Sequence, residues 1–158
     1  MDDIISIIET PSRRVPALGE RGEALAAKFL IKNGYRLVCS NFTIPVGRNS
    51  KSVQVTGEID IIALDGGTLC FIEVKTRRSD EFTPVITSVD TRKQRQITRT
   101  AKVYRRIFGV GDMEYRYDVV TVLFPKYADP EINILKDFWN DGKFRKRTWK
   151  YDAWHDIL

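Results

Sequence analysis

Gly57-Glu58-Ile59-Asp60-Ile61-Ile62-Ala63-Leu64, then Asp65-Gly66-Gly67, then Thr68-Leu69-Cys70-Phe71-Ile72-Glu73-Val74-Lys75-Thr76 is the stretch on which the reading of this chain turns. Two apolar, β-branched runs separated by Asp-Gly-Gly are a strong hairpin signal and predict strands over 53–64 and 68–76. Side chains alternate between the faces of a strand, so Glu58 and Asp60 share a face, and Glu73 and Lys75 share one. A turn on Gly66-Gly67 sets Asp60 across from Glu73 and Glu58 across from Lys75. A turn on Asp65-Gly66 shifts the register by two and keeps all four on one face. A three-residue loop would put the two pairs on opposite faces.

Directly opposed residues hold their Cβ atoms about 5 Å apart. Two bare carboxylates there repel by roughly 3 kcal/mol at an effective dielectric near 20. Lys75 offsets part of this, and a divalent cation between Asp60 and Glu73 offsets more. The available ligands are all oxygens, which suits Mg²⁺ or Mn²⁺ rather than zinc. A metal held by one or two carboxylates keeps positions open for a phosphate oxygen and a water, and Lys75 can orient that water or stabilise developing charge. Charged cross-strand pairs are often nothing more than a solvated face. Here Ile59, Ile61, Ile62, Phe71, Ile72 and Val74 surround them, so both strands are expected to be buried on both faces, where a charge is rare without a purpose.

Upstream of the hairpin, residues 18–33 have helical periodicity. Leu18, Gly22, Leu25 and Phe29 fall on one face with Ala26 and Leu30 beside them, and Gly34 is the stop. A strand over 35–42 and a polar loop over 43–52 lead into the hairpin. Downstream, 77–87 is polar and contains proline, which predicts a loop. Asp90 is a good N-cap for a helix to about 108, stopped by Gly109. A strand follows over 115–124, and 132–135 is a further candidate. Helix, three strands, helix and strand make one α/β domain around a mixed sheet over 18–139. It is preceded by a tail, 1–17, and followed by a basic, aromatic extension, 140–158.

The second helix is amphipathic in charge as well as hydropathy. Ile97, Ala101, Tyr104 and Phe108 form its apolar stripe. Arg92, Arg95, Arg99, Lys102 and Arg106 recur at spacings of three and four on nearly the opposite side. No acid interrupts them after Asp90, whereas a solvated face normally mixes signs. Such a stripe can follow a phosphate backbone. Lys93 differs: it sits one turn before Ile97 on the inward side, where it needs an anionic partner. Lys143, Arg145, Lys146 and Arg147 with Trp149 can add phosphate contacts or stacking, or pack on the domain.

The whole-chain numbers agree with a nucleic-acid partner without requiring one: 26 Lys and Arg stand against 21 Asp and Glu, a net charge of +5. Cys39 and Cys70 are too few for a disulfide framework or a zinc cluster and read as small core residues. A lone histidine, His155, argues against a histidine-based nucleophilic site. No apolar run approaches the roughly 20 residues that span a membrane. An acidic N-terminus is unlike a signal peptide, so a cytoplasmic location is expected.

An Asp followed after a turn by Glu-Val-Lys resembles the core of the PD-(D/E)XK nucleases. The surrounding text is more specific. Gly19-Glu20-Arg21-Gly22-Glu23-Ala24, Phe29-Leu30, Gly34-Tyr35, Asn41, Gly57 to Ala63, Phe71 to Arg77, Lys93 and Arg116 to Val120 resemble, in order, the bacterial YraN family over roughly 18–139. That family is similar to archaeal Holliday-junction resolvases, which implies a restriction-endonuclease-like mixed sheet flanked by helices. The resemblance implies a catalytic set of Glu23, Asp60, Glu73 and Lys75, with Glu23 supplied by the first helix. It implies a Mg²⁺ or Mn²⁺ site at Asp60, Glu73 and Val74; together with the basic stripe of the second helix, DNA contacts are expected from Arg77, Arg92, Lys93, Arg95, Arg99 and Lys102. The expected activity is metal-dependent endonucleolytic hydrolysis of DNA, with branched or structured DNA among the substrates. The alternatives are a non-catalytic nucleic-acid-binding module of the same fold, or a protein-interaction role using the Ile-rich N-terminal segment and the aromatic tail. A homodimer is compatible with the sequence. The chain departs from the family in its longer 43–56 loop, in Tyr117 where Phe is common, and in residues 140–158.

Overall fold

The computed structural model describes residues 15–79 and 89–144. The expectations for the N-terminal segment, for most of the 77–87 loop and for Arg145, Arg147 and Trp149 lie outside them. The described chain runs α1 (Leu18–Lys32), β1 (Arg36–Arg48), β2 (Gln54–Asp65), β3 (Thr68–Arg78), α2 (Thr91–Ile107), β4 (Tyr115–Phe124), β5 (Glu131–Trp139) and a short 3-10 turn, Asp141–Phe144. The five strands form one sheet in the order β1-β2-β3-β4-β5. All neighbours are antiparallel except β3 and β4. A parallel pair needs a long crossover, and α2 lies within it. The result is a single α/β domain with a mixed five-stranded sheet between two helices, consistent with a restriction-endonuclease-like fold. Among the described residues, no helix is long and apolar enough to cross a membrane.

Each face of the sheet has its own core. On one side Ile59, Ile62, Phe71, Tyr117, Val119 and Trp139 pack on Ile97, Ala101 and Tyr104 of α2. On the other, Ile61, Ala63, Cys70, Ile72, Val74, Val120 and Val122 pack on Ala26 and Leu30 of α1. The central strands are therefore buried on both faces, as their unbroken apolar runs predict.

Several boundaries differ from the sequence reading. The 43–52 loop is mostly strand: β1 continues to Arg48 and pairs with β2 as far as Arg48↔Gln54. The turn is confined to the next few residues, where the Asn49 side chain accepts from Lys51 N and Val53 N. Pro45 misled because proline is depleted in strands, yet β1 is an edge strand, where proline is tolerated. The candidate strand at 132–135 extends over all of β5. The buried line of α1 is Gly22, Ala26 and Leu30, with Leu18, Leu25 and Phe29 only half buried. Small residues take the centre because the helix lies close on the sheet. Phe108 follows the end of α2 and is 56% exposed, while Gln94, Thr98 and Thr100 are buried.

Candidate active site

The hairpin turns on Gly66-Gly67, with Asp65↔Thr68 through Ile61↔Ile72 in register. The pairing stops one residue short of the acidic pair. Asp60 does not face Glu73 across a regular ladder. Its carboxylate instead accepts the backbone N–H of Val74 at 2.7 Å, from Oδ2. β1 is distorted opposite this point. Asn41, which the β1–β2 register skips opposite Asp60, has φ +52. Ile59 and Ile62 lie in the same α2-side core although three residues apart. Strict alternation fails between them, at Asp60. Beyond this point β2 leaves β3 and continues only with β1.

Asp60 therefore opens toward α1. With Glu20, Glu23, Ala24, Asn41 and Ile61 it lines a cavity of about 230 Å³. Glu73 meets α2: Lys93 Nζ lies 3.4 Å from its Oε2, and Lys75 Nζ lies 2.8 Å from its Oε1. Asp60 is 8% exposed and Glu73 2%. Burial, and next the charge of Glu73, push the Asp60 carboxyl up to about 7, and Val74 N–H and Lys93 only partly offset them. Burial and then Glu58 raise Glu23, against a hydrogen bond from Asn41. Glu23, Asp60, Glu73 and Lys93 thus sense one another across the point where the strands part. Glu73 Oε2 is buried without a hydrogen-bond partner.

Two glycines set how closely the helices approach. A Cβ on Gly22 would stand 1.8 Å from Thr76 Oγ1, and one on Gly57 2.0 Å from Thr100 Oγ1. Gly22 precedes Glu23, so the contact of α1 with β3 holds that acid against the sheet. Gly57 and Thr100 do the same for α2, whose first turn carries Lys93. These contacts and Asn41 were missed as site-builders. Asn is enriched at positive φ, but inside a strand-like run nothing marks which Asn adopts it.

The basic face of α2 is exposed at Arg92, Arg95, Arg99, Lys102 and Arg106. Part of it is already engaged. Arg99 Nη2 donates to Val46 O at 3.2 Å, the Arg95 guanidinium lies 5.6 Å from the Phe144 ring centroid, and Lys102 pairs with Asp141 at 3.7 Å. Arg92, Arg95 and Arg99 share a cleft of about 200 Å³ with Val46 and Val55 of the β1–β2 arm. Arg77 is half buried near the end of β3. Lys143 donates to Gln94 Oε1 at 2.9 Å and so packs on the domain.

The donor set fits a hard cation. Two buried carboxylates, one with an oxygen lacking a hydrogen bond, are complemented by Glu23 nearby. No group of three or more His, Cys, Asp or Glu side chains is placed to cage a metal among the described residues. A cation here would be held by one or two carboxylates and keep its waters, as Mg²⁺ commonly does.

The family model of the uncharacterised protein family UPF0102 matches residues 22–122, which include every element that builds this site. A UPF0102 protein of Geotalea uraniireducens is 40% identical over 121 residues, covering 77% of this chain and 87% of the relative. Another from Desulfosudis oleivorans is 43% identical over 104 residues, 66% and 76% of the two chains. One from Chlorobaculum parvum is 46% identical over 108 residues, 67% and 74%. With the match running from α1 through β4 and the relatives aligned over most of their own length, this chain belongs to the UPF0102 family.

Proposed function

We propose that this protein is a metal-dependent endonuclease that hydrolyses phosphodiesters of DNA, branched or structured DNA being the substrates to test first. The observation that carries the reading is the pair of buried acids where β2 and β3 part. Asp60 is held by Val74 N–H. Glu73 keeps a buried oxygen without a hydrogen bond between Lys75 and Lys93. Buried charge is costly, and acids with strongly perturbed surroundings cluster at sites that a ligand or reaction uses.

Asp60 and Glu73, with Val74 between Glu73 and Lys75, are the residues to hold Mg²⁺ or Mn²⁺. Bound there, the ion would polarise a phosphate oxygen and lower the pKa of a water. Lys75, ion-paired to Glu73 and one-quarter exposed, is placed to orient the attacking water and stabilise charge on the phosphate. Lys93 fixes the other Glu73 oxygen and can turn to substrate. Glu23, from α1, is available to a water in the Asp60 cavity. The exposed arginines of α2 supply backbone contacts that position DNA without reading its sequence.

Glu73→Gln and Lys75→Ala should each lower cleavage of a branched substrate by about 100-fold or more. Affinity in a gel-shift titration should change far less, because these groups act mainly on charge that develops during attack. If wild type cleaves no linear, nicked, flapped or branched DNA with either metal, the non-catalytic binding module takes its place. Lys75 and Lys93 already compensate Glu73 without a metal, which is the feature that favours that alternative. Replacing Arg95, Arg99 and Lys102 with Ala should flatten the log–log salt dependence of binding by roughly 0.9 per lost phosphate contact. The total should fall short of three contacts, because Arg99 and Lys102 have internal partners.

A further inference from the structure

On the α1 side, past the site along β3, lies an open cavity of about 380 Å³ that the site just described does not use. Arg21, Arg78 and Lys126 line it, with Ser79, Phe124 and Leu18, and among the described residues no acidic side chain does so. Its cations come from three elements. Arg21 is on α1, two residues before Glu23. Arg78 ends β3, three residues beyond Lys75. Lys126 follows β4, two residues after Phe124, whose neighbour across the sheet is Arg78. The Arg21 guanidinium lies 4.9 Å from the Phe124 ring centroid, a contact that helps hold its planar fork in place.

Like charges that converge repel one another and are stabilised by an anion. Two arginines with a lysine match a phosphate in both charge and donor geometry. The spacing relates the cavity to the site. Three residues of extended strand separate Arg78 from Lys75 by about 10 Å, within a few nucleotides along one strand; Arg78 lies on the α1 face, to which Asp60 opens, and Lys75 on the face of α2. The arginine cleft of α2 lies across the sheet, toward the other helix.

We propose that Arg21, Arg78 and Lys126 form a phosphate-binding pocket that seats a phosphate of the nucleic-acid strand a few nucleotides from the bond to be cut. Its place on that strand rests on the endonuclease reading; its affinity for phosphate does not. Contacts on both sides of the site hold the strand across Glu73 and Lys75, which neither set of cations could do alone.

The test uses the full chain and the double variant Arg78→Ala/Lys126→Ala. Both residues are exposed, so melting in chloride serves as the folding control. Inorganic phosphate, against chloride at matched ionic strength, should raise the Tm of the wild type more than that of the variant, whose remaining rise is the general effect of phosphate on burial. Metal-free fluorescence anisotropy then compares 5′-phosphorylated and 5′-hydroxyl oligonucleotides. The variant should bind about tenfold more weakly, with a salt slope about 0.9 shallower per lost contact. Equal loss on both ends assigns the pocket to an internal phosphodiester, and loss confined to the phosphorylated end assigns it to a terminal monoester. Equal phosphate stabilisation of both proteins, or unchanged oligonucleotide affinity and slope, overturns the pocket. Neither result bears on cleavage. Conversely, a wild type that takes phosphate through these residues but never cleaves DNA keeps the pocket and loses the endonuclease.

Discussion

β2 carries an acid at each end of its central stretch, and the two are treated in opposite ways. At the hairpin end Asp65 accepts from Arg116 Nη2 at 2.7 Å and from Lys136 Nζ at 2.9 Å. Arg116 also donates from Nε to both oxygens of the fully buried Asp118 and from Nη2 to Tyr35. Asp137 N–H completes Asp118. The hydrogen bonds from Arg116 and Lys136 hold Asp65 down at about 2. Five residues away Asp60 is pushed up to about 7, and its neighbour Glu73 has an oxygen with no hydrogen bond. One cluster closes on itself. Burial raises Asp118 in the first cluster as it raises Asp60, but in the second Glu73 Oε2 has only an ion pair with Lys93 and no hydrogen bond. A network built solely for the fold would be expected to resemble the first, and it is on the second that the proposed metal site rests.

The contrast breaks most visibly at Arg116. Arg116→Ala strands Asp118 in the core, and breaking a buried pair in this way costs about 3–5 kcal/mol. A loss of that size should lower Tm by roughly 10 °C in a domain of this length. Urea titration checks it, and a loss below about 1 kcal/mol would mean that the closed network is not structural.

Asp60→Asn should do the reverse. The amide oxygen can still accept from Val74, but the charge is gone. The carboxyl titrates near 7 when folded and near 3.9 when unfolded. Wild-type stability tied to Asp60 is thus complete below about pH 4 and is lost as pH rises through about 7. Metal-free Asp60→Asn should exceed wild type by about 1–3 kcal/mol at pH 8 and match it at pH 4. Mg²⁺ or Mn²⁺ at pH 8 should restore the wild type and leave the variant unchanged, and chelation should reverse this. A flat difference between pH 4 and 8 would end the contrast between the two acids.

The smallest effect is expected at Asp65, which is partly exposed. Its depressed carboxyl contributes stability above about pH 4, lost as pH falls through about 2. Asp65→Asn should therefore cost up to about 1 kcal/mol at neutral pH, weaken in salt, and vanish in acid. Urea midpoints at pH 7 and pH 2 compare the two regimes.

The candidate site shows how far pattern reaches. Asp60, Glu73 and Lys75 stand out because they are charges inside Ile- and Val-rich strands, and α2 shows its basic stripe through spacing alone. The arm beyond Gly57 was hidden by polar residues, because its order comes from pairing with β1 and from Gln96 and Arg99 donating to Thr56 O and Val46 O. Those partners are 40 and 53 residues away, out of reach of any local rule.

What the sequence determined by itself is therefore the alternation that builds two buried strands, the Gly66-Gly67 turn that joins them, and the helical faces that cover them, since all of these follow from periods of 2 and 3.6 along the chain. What only the tertiary structure decided is the place where that alternation fails. β2 pairs with β3 only as far as Ile61, Asn41 takes a positive φ opposite Asp60, and Gly22 against Thr76 and Gly57 against Thr100 let both helices come onto the sheet. The two glycine contacts join segments far apart in the chain, and their energy exists only once the strands and helices have met.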